Sequence, residues 1–453
     1  MMKKILPLAL VLLSCVALAA PKKGRVMFWY DTEDYTCPAS DDGTLFHANL
    51  LTEFGFRGNF DIVGFYAQRL LELGRTDVIQ ALKRHAIGSQ TLYHSLHPTI
   101  CEYTDIEDWE AAYTRCLTQE AQAVGMLKAT FGLDHVDCAV FPGNNVSPVG
   151  MYVYADLGAH VLGGAIDIFG DKTLDRLAWY CNLLQVPYHE EMDDNETLAS
   201  RDLTIIYTHP NEVVTKTFWD AENYRGGNHC EWRKWKHPPL LSPEEQKQAR
   251  AYWRSMMTRI KNDPRLSVVT FEDFVKELKP RVEITQADAP RLLADLKKGL
   301  QPIESPSWSI SDVFQAAVHL LRGEKTFMPR KSWGFLEAPK GITQKTMLRR
   351  ADILAAAKAL NPDYFLPAEF AVGDQRIGPA DLLIAMLEVL SGSADEITLE
   401  PRDQLGLVAK HLPQLPDLSL TAPGTWIIYA PTFKDRFITN RLRWQFWTLR
   451  YEE

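Results

Sequence analysis

Short apolar runs alternate with amphipathic stretches from Gly24 to about Lys279. Gly24 to Trp29 reads as a buried strand that runs into an acidic cluster. Leu45 to Phe54 has helical apolar spacing and stops at Gly55. Phe56 to Val63 is strand-like, Val78 to Arg84 is helical, and Ile87 opens another short strand. Trp109 to Leu127 has the spacing of a long amphipathic helix. Cys138 to Phe141, His160 to Gly163 and Leu203 to Tyr207 are further short apolar runs. Pro243 to Ile260 is a charged amphipathic helix with good start residues. Ser267 to Thr270 gives a last strand and Phe271 to Leu278 a last helix. Strands alternating with helices predict an α/β fold with a parallel sheet, either open or closed into a β/α barrel.

The pattern changes after Lys279. Residues 280–307 contain Pro290, Pro302 and Pro306 and read as a linker with one short helix. Residues 308–453 then repeat themselves faintly. Asp312-Val313-Phe314, Asp352-Ile353-Leu354 and Asp381-Leu382-Leu383 each place an Asp at the start of an apolar helix, as an N-cap or first-turn acid. This predicts a smaller, mainly helical C-terminal domain. The tail from Trp426 mixes aromatics with Arg441, Arg443 and Arg450 and carries no legible motif.

A chain of 453 residues exceeds one ordinary core, in line with two domains. Hydrophobic content of 46% and charged content of 24% are ordinary for a globular protein. A net charge of -9, with no basic stripe in the first domain, argues against a nucleic-acid partner. Lys3 and Lys4, the apolar run Ile5 to Ser14 and the small residues Ala17 and Ala19 make residues 1–19 read as a cleaved signal peptide. A retained anchor and lipidation at Cys15 are the alternatives. The expectation is an exported protein, periplasmic or secreted, with no membrane span after cleavage. Beyond Cys15 six cysteines remain, Cys37, Cys101, Cys116, Cys138, Cys181 and Cys230. An even number in an exported domain permits disulfides; buried free thiols are the other reading.

Chemistry concentrates after three of the apolar runs. Asp31-Thr32-Glu33-Asp34 follows the first strand, where α/β folds present ligand-facing residues. Carboxylates there suit a general base and a metal ligand, or a helix cap with solvated acids. Gln90, His94 and His97 follow the strand at Ile87, and two histidines three apart can chelate one metal. His209 closes the run Ile205 to Thr208. A lone histidine at a strand end is more often structural, but all three groups lie after short strands.

In this order the residues resemble NodB-type polysaccharide deacetylases, carbohydrate esterase family four, over roughly residues 25–277. The likeness lies in Asp31-Thr32-Glu33-Asp34, in Gly88 to His94, in the proline loop Phe141-Pro142-Gly143-Asn144-Asn145, and in His209. It implies a distorted (β/α) barrel of about seven strands and a divalent metal, most often zinc. It also implies an N-acetylated polysaccharide or cell-wall glycan as substrate. Asp31 would then be the base that activates water, and His209 the acid for the leaving amine. Glu33 or Asp34 would bind metal together with His94. Two departures matter. Gln90 stands where the family has a histidine, and amide oxygen is a poorer zinc ligand than imidazole; His97 is a nearby substitute. The Arg before the proline loop falls on Val140 or Phe141. An inactive glycan-binding relative is therefore the rival expectation. Asn144, Asn145, Trp179, Tyr180 and Trp219 are the candidate substrate contacts. Trp179 and Tyr180 fall where family members place substrate-contacting aromatics, and Trp219 follows His209 in an irregular segment. Ala351 to Leu360, Leu366-Pro367 and Ala380 to Leu383 resemble, more loosely, pseudomurein-binding repeats.

Overall fold

Nine residues of uninterrupted strand, Gly24–Thr32 (β1), run through the main sheet. Val26, Phe28 and Tyr30 enter one core, and Met27 and Trp29 another. Successive side chains alternate across a strand, so Asp31 shares the face of Met27 and Trp29. The computed structural model describes residues 24–144, 147–164, 177–186, 194–224, 234–406, 429–430 and 432–452. Residues 1–19, with Cys15 and the expected export signal, lie outside them, as does Cys230.

The strands that follow are Asn59–Ile62 (β2), Ala86–Ser89 (β3), Cys138–Val140 (β4), Val161–Gly163 (β5), Ala178–Tyr180 (β6), Leu183–Val186 (β7), Leu203–Thr208 (β8) and Leu266–Val268 (β9). Their order is β6-β7-β5-β4-β3-β2-β1-β8. Arg450–Tyr451 is added beyond β6 and β9 sits on the start of β1, giving ten strands. The sheet curls into a half-barrel with helices around it. The α/β expectation holds, but the strand number exceeds the expected seven. One reason is that β6 turns back antiparallel to β7 through Cys181 and Asn182, both in left-handed backbone. The other is that Arg450–Tyr451 pairs antiparallel with β6 at Trp179. Phe271 and Phe274 of the last helix before Lys279 pack into the same cluster as Met27 and Trp29.

Residues beyond 280 build a second core in which helices alternate with short antiparallel strand pairs. The stretch expected as a linker belongs to it: Leu292, Leu293 and Leu296 of helix Ala289–Lys298 are buried there. Asp312 and Asp381 are first-turn acids and are themselves buried. Asp312 takes the Ser309 amide and Asp381 the Gly378 amide. The unmotivated tail stitches the two cores together. Leu442 and Phe446 enter the larger core and Trp447 the smaller. Among the described residues no helix is long and apolar enough to cross a membrane. Cys37, Cys101, Cys116, Cys138 and Cys181 are all buried and free, so the disulfide expectation fails for them.

One buried acid supports the loop after β3. Glu120, on helix Trp109–Phe131, accepts hydrogen bonds from Tyr103 Oη at 2.7 Å, Tyr154 Oη at 2.6 Å and the Leu92 amide. Tyr154 Oη also meets Ser89 Oγ at 3.0 Å. Burial raises the Glu120 carboxyl from its ordinary 4.5 to about 7 despite these donors. A carboxyl raised in the folded state stabilises the fold fully below its unfolded pKa. That contribution is lost as pH climbs through the folded value. Wild type should therefore lose on the order of 3 kcal/mol between pH 4.5 and 7 that Glu120→Gln does not lose. Urea midpoints across that range check this; parallel curves for the two proteins would contradict it.

Candidate active site

Three strand ends deliver the site. Asp31 ends the inner face of β1 and Glu33 follows it; Gln90 to His94 follow β3; His209 follows β8. They converge on one oxygen. Glu33 Oε2 lies 2.9 Å from His94 Nε2, accepts from Gln90 Nε2 at 3.1 Å, and lies 3.8 Å from His209 Nε2. Glu33 is only 4% exposed. Burial alone would favour its neutral form, but His94 and His209 hold its carboxyl below the usual value. Burial likewise opposes charge on His94, and Glu33 reverses this and raises it.

The loop that carries His94 is strained. Thr91 and His94 both have left-handed backbone, with φ of 61° and 53°. For a β-branched residue such as Thr91 that conformation is an outlier and costs about 1–3 kcal/mol. Local bonds hold it in place. The His94 amide donates to Thr91 Oγ1, and the first amides of helix Gly64–Glu72 donate to the carbonyls of Thr91 and Leu92. Glu120 takes the Leu92 amide from the other side.

His209 is the residue of the group with the most solvent access, its side chain 14% exposed. Its Nδ1 meets Glu212 Oε1 at 3.2 Å, and Tyr207 Oη lies 3.0 Å from Nε2. The Phe218 ring stands edge-on at 4.4 Å. Burial again works against the charged imidazole, but Glu33 and Glu212 raise it to about 10. Asp31, Glu33 and His209 each bring one donor atom within 4.8 Å of the others.

Two acids at the site escaped the sequence reading. Asp220 lies on the short helix Trp219–Tyr224 after β8, 1% exposed, and groups with Glu33 and His94 within the same 4.8 Å. Burial and the charge of Glu33 push it up to about 7. Its signal was an acid beside a tryptophan in an aromatic segment, where the rings drew the attention. Asp61 of β2 pairs in register with Asp31 on one side and Gly88 on the other. It is fully buried, and neither carboxyl oxygen has a conventional hydrogen bond. A methyl group at Gly88 would fall 1.8 Å from Asp61 Oδ1, so only glycine leaves room for it. Burial and Asp31 hold Asp61 well above the ordinary carboxyl range. A polar residue inside an apolar strand was its signal.

Several expected site residues serve elsewhere. Asp34 spends both oxygens on the turn into helix Pro38–Phe54. Oδ1 accepts from Thr36 and Cys37, and Oδ2 from Ser40 Oγ. It is not free to bind metal. His97 turns to Glu102, 2.7 Å from its Nδ1, and does not join the Glu33 group. Gln90 presents its amide nitrogen, not its oxygen, to Glu33. Trp219 is fully buried against Tyr35 and Trp235 and has no face for a ligand. Tyr180 is buried too, with its hydroxyl donated to the Leu442 carbonyl. Trp179 stacks under Arg450 and donates Nε1 to Glu452, at the junction with the tail. These three rings pack protein against protein. Asn144 falls in the turn Pro142–Asn144 after β4; its side chain and Asn145 lie outside the described residues.

No protein-family model matches the sequence, and no curated protein matches it. Solved structures give loose superpositions. A 4-alpha-glucanotransferase from Thermococcus litoralis matches at 10% identity and a TM-score of 0.40, over 61% of this chain and 46% of that one. A family 4 carbohydrate esterase from Bacillus anthracis matches at 12% and 0.31, over 56% and 84%. A peptidoglycan deacetylase from Bacillus subtilis matches at 11% and 0.30, over 62% and 98%. The likeness of the C-terminal region to pseudomurein-binding repeats finds no support among the matches.

Asp34→Ala removes a buried acceptor of four hydrogen bonds and should cost about 1–3 kcal/mol of stability. Urea unfolding measures it. A variant as stable as wild type would mean that the turn holds itself.

Proposed function

We propose that this chain is a metal-dependent hydrolase of the polysaccharide-deacetylase kind, removing acetyl groups from an N-acetylated glycan. The observation that carries the reading is the convergence of Gln90, His94 and His209, from two separate loops, on one oxygen of Glu33 beside Asp31. Mixed carboxylate and imidazole donors suit zinc or a similar divalent ion. Gln90 Oε1 is a buried oxygen without a hydrogen-bond partner at the same place. The residues thus fit a cation, with Glu33 and His94 as its first holders. Bound there, it would polarise the acetamide carbonyl and lower the pKa of water.

The protein's own groups handle the protons. Asp31, on the inner face of β1, takes a proton from the attacking water onto its carboxylate. His209, with the Glu212 carboxylate at its Nδ1, gives its Nε2 proton to the amine nitrogen as the C–N bond breaks. Acetate and the free amine leave. Glu212 fixes the imidazole through Nδ1, which leaves Nε2 toward the site.

The second reading is a catalytically inactive glycan-binding relative. The observation in its favour is Gln90 itself, a weak donor where the resembling family has a strong one. An acetate-release assay over chitin oligosaccharides and N-acetylated cell-wall glycans separates the two. Wild type should release acetate, and Asp31→Asn and His209→Ala should each lower kcat about 10²–10⁴-fold. Glycan binding without acetate release from the zinc-supplemented wild type would favour the second reading.

A further inference from the structure

We infer that Asp220 is the third protein ligand of the cation, standing in for the imidazole that Gln90 cannot supply. The inference rests on the reading above and adds to it a residue outside the resembling motifs. Donor atoms of Glu33, His94 and Asp220 all lie within 4.8 Å of one another. Ligand atoms around one zinc, each at about 2.0–2.2 Å, stand about 3–4 Å apart. The three side chains are almost wholly removed from water, with exposures of 4%, 4% and 1%.

The surroundings of Asp220 leave it short of partners for a buried carboxylate. Its Oδ1 accepts the amide of the next residue, and Ser95 Oγ stands 3.4 Å from Oδ2. Among the described residues the ion-pair partners of Glu33 are histidines. Two carboxylates therefore lie close together beside His94 in a dry site, an arrangement a divalent cation neutralises. Gln90 takes a supporting place: Nε2 orients Glu33, as outer partners of metal ligands do, and buried Oε1 is left without a bond.

The fold invests in placing Asp220. Neighbouring Trp219 is fully buried, with its ring 5.0 Å from Tyr35, 4.2 Å from Trp235 and 6.3 Å from His94. Asn223 donates to the Trp219 and Lys236 carbonyls and accepts the Lys236 amide. A helix of only six residues is thereby held in place, with a carboxyl oxygen of its acid within 4.8 Å of Glu33.

The test is zinc binding by calorimetry and the visible spectrum of the cobalt(II) form, on full-length wild type, Asp220→Asn, His94→Ala, and the double variant Gln90→His with Asp220→Asn. Circular dichroism checks that each is folded. Wild type should bind one zinc and give the intense visible bands of low-coordinate cobalt. Asp220→Asn, nearly the same shape, should bind zinc about 100-fold or more weakly and lose those bands. The double variant should regain much of both, because a histidine at 90 restores a ligand. If Asp220→Asn keeps wild-type affinity and spectrum while His94→Ala loses them, Asp220 is not a ligand and the hydrolase reading stands. If wild type itself binds no zinc or cobalt, both fall.

Discussion

A carboxylate held out of water governs this site. An isolated buried carboxylate costs several kcal/mol, so it persists only with well-placed partners. Glu33 finds them at one oxygen, in His94, Gln90 and His209. This demand fixes the relative positions of the ends of β1, β3 and β8, which are far apart in sequence but close in the sheet. It also accounts for left-handed backbone at Thr91 and His94, tolerated because Thr91 Oγ1, helix Gly64–Glu72 and Glu120 hold the loop.

The buried acids fall into two kinds. Asp34 and Glu120 are surrounded by donors from hydroxyls and amides, and each anchors local structure. Asp61 and Asp220 are buried as deeply with far fewer donors, and both border the Glu33 group. Proteins leave acids unsatisfied mainly where a charge, a proton or an ion is to be managed. The space that Gly88 cedes to Asp61 is part of that arrangement, since a Cβ there would collide with the carboxyl.

Much of the barrel was legible because its pattern is local. The runs at Gly24, Ile87, Cys138 and Leu203 became strands, and Leu45 to Phe54 became the end of a helix capped by Gly55 in left-handed backbone. Asp31, Glu33, His94 and His209 could be picked out because each follows such a run. Trp179 and Tyr180 misled because exposed stacking rings and buried packing rings look alike in sequence; only the pairing of β6 with Arg450–Tyr451 decides between them. Asp220 and the tail were hidden for the same reason. Their partners lie more than a hundred residues away, and no short window of sequence contains both sides of such a contact.

The strand at Arg450–Tyr451 has a consequence for when the sheet can be finished. Trp179 and Glu452 are joined by a hydrogen bond across 273 positions of sequence. At the ~5–20 residues per second of protein synthesis, that is roughly 15–55 seconds of elongation. Throughout that interval the outer side of β6 presents unpaired backbone groups, and Tyr180 lacks the carbonyl its hydroxyl will meet. An edge in that condition is a template for other strands. Until the last residues of the chain arrive, the first core carries that edge open.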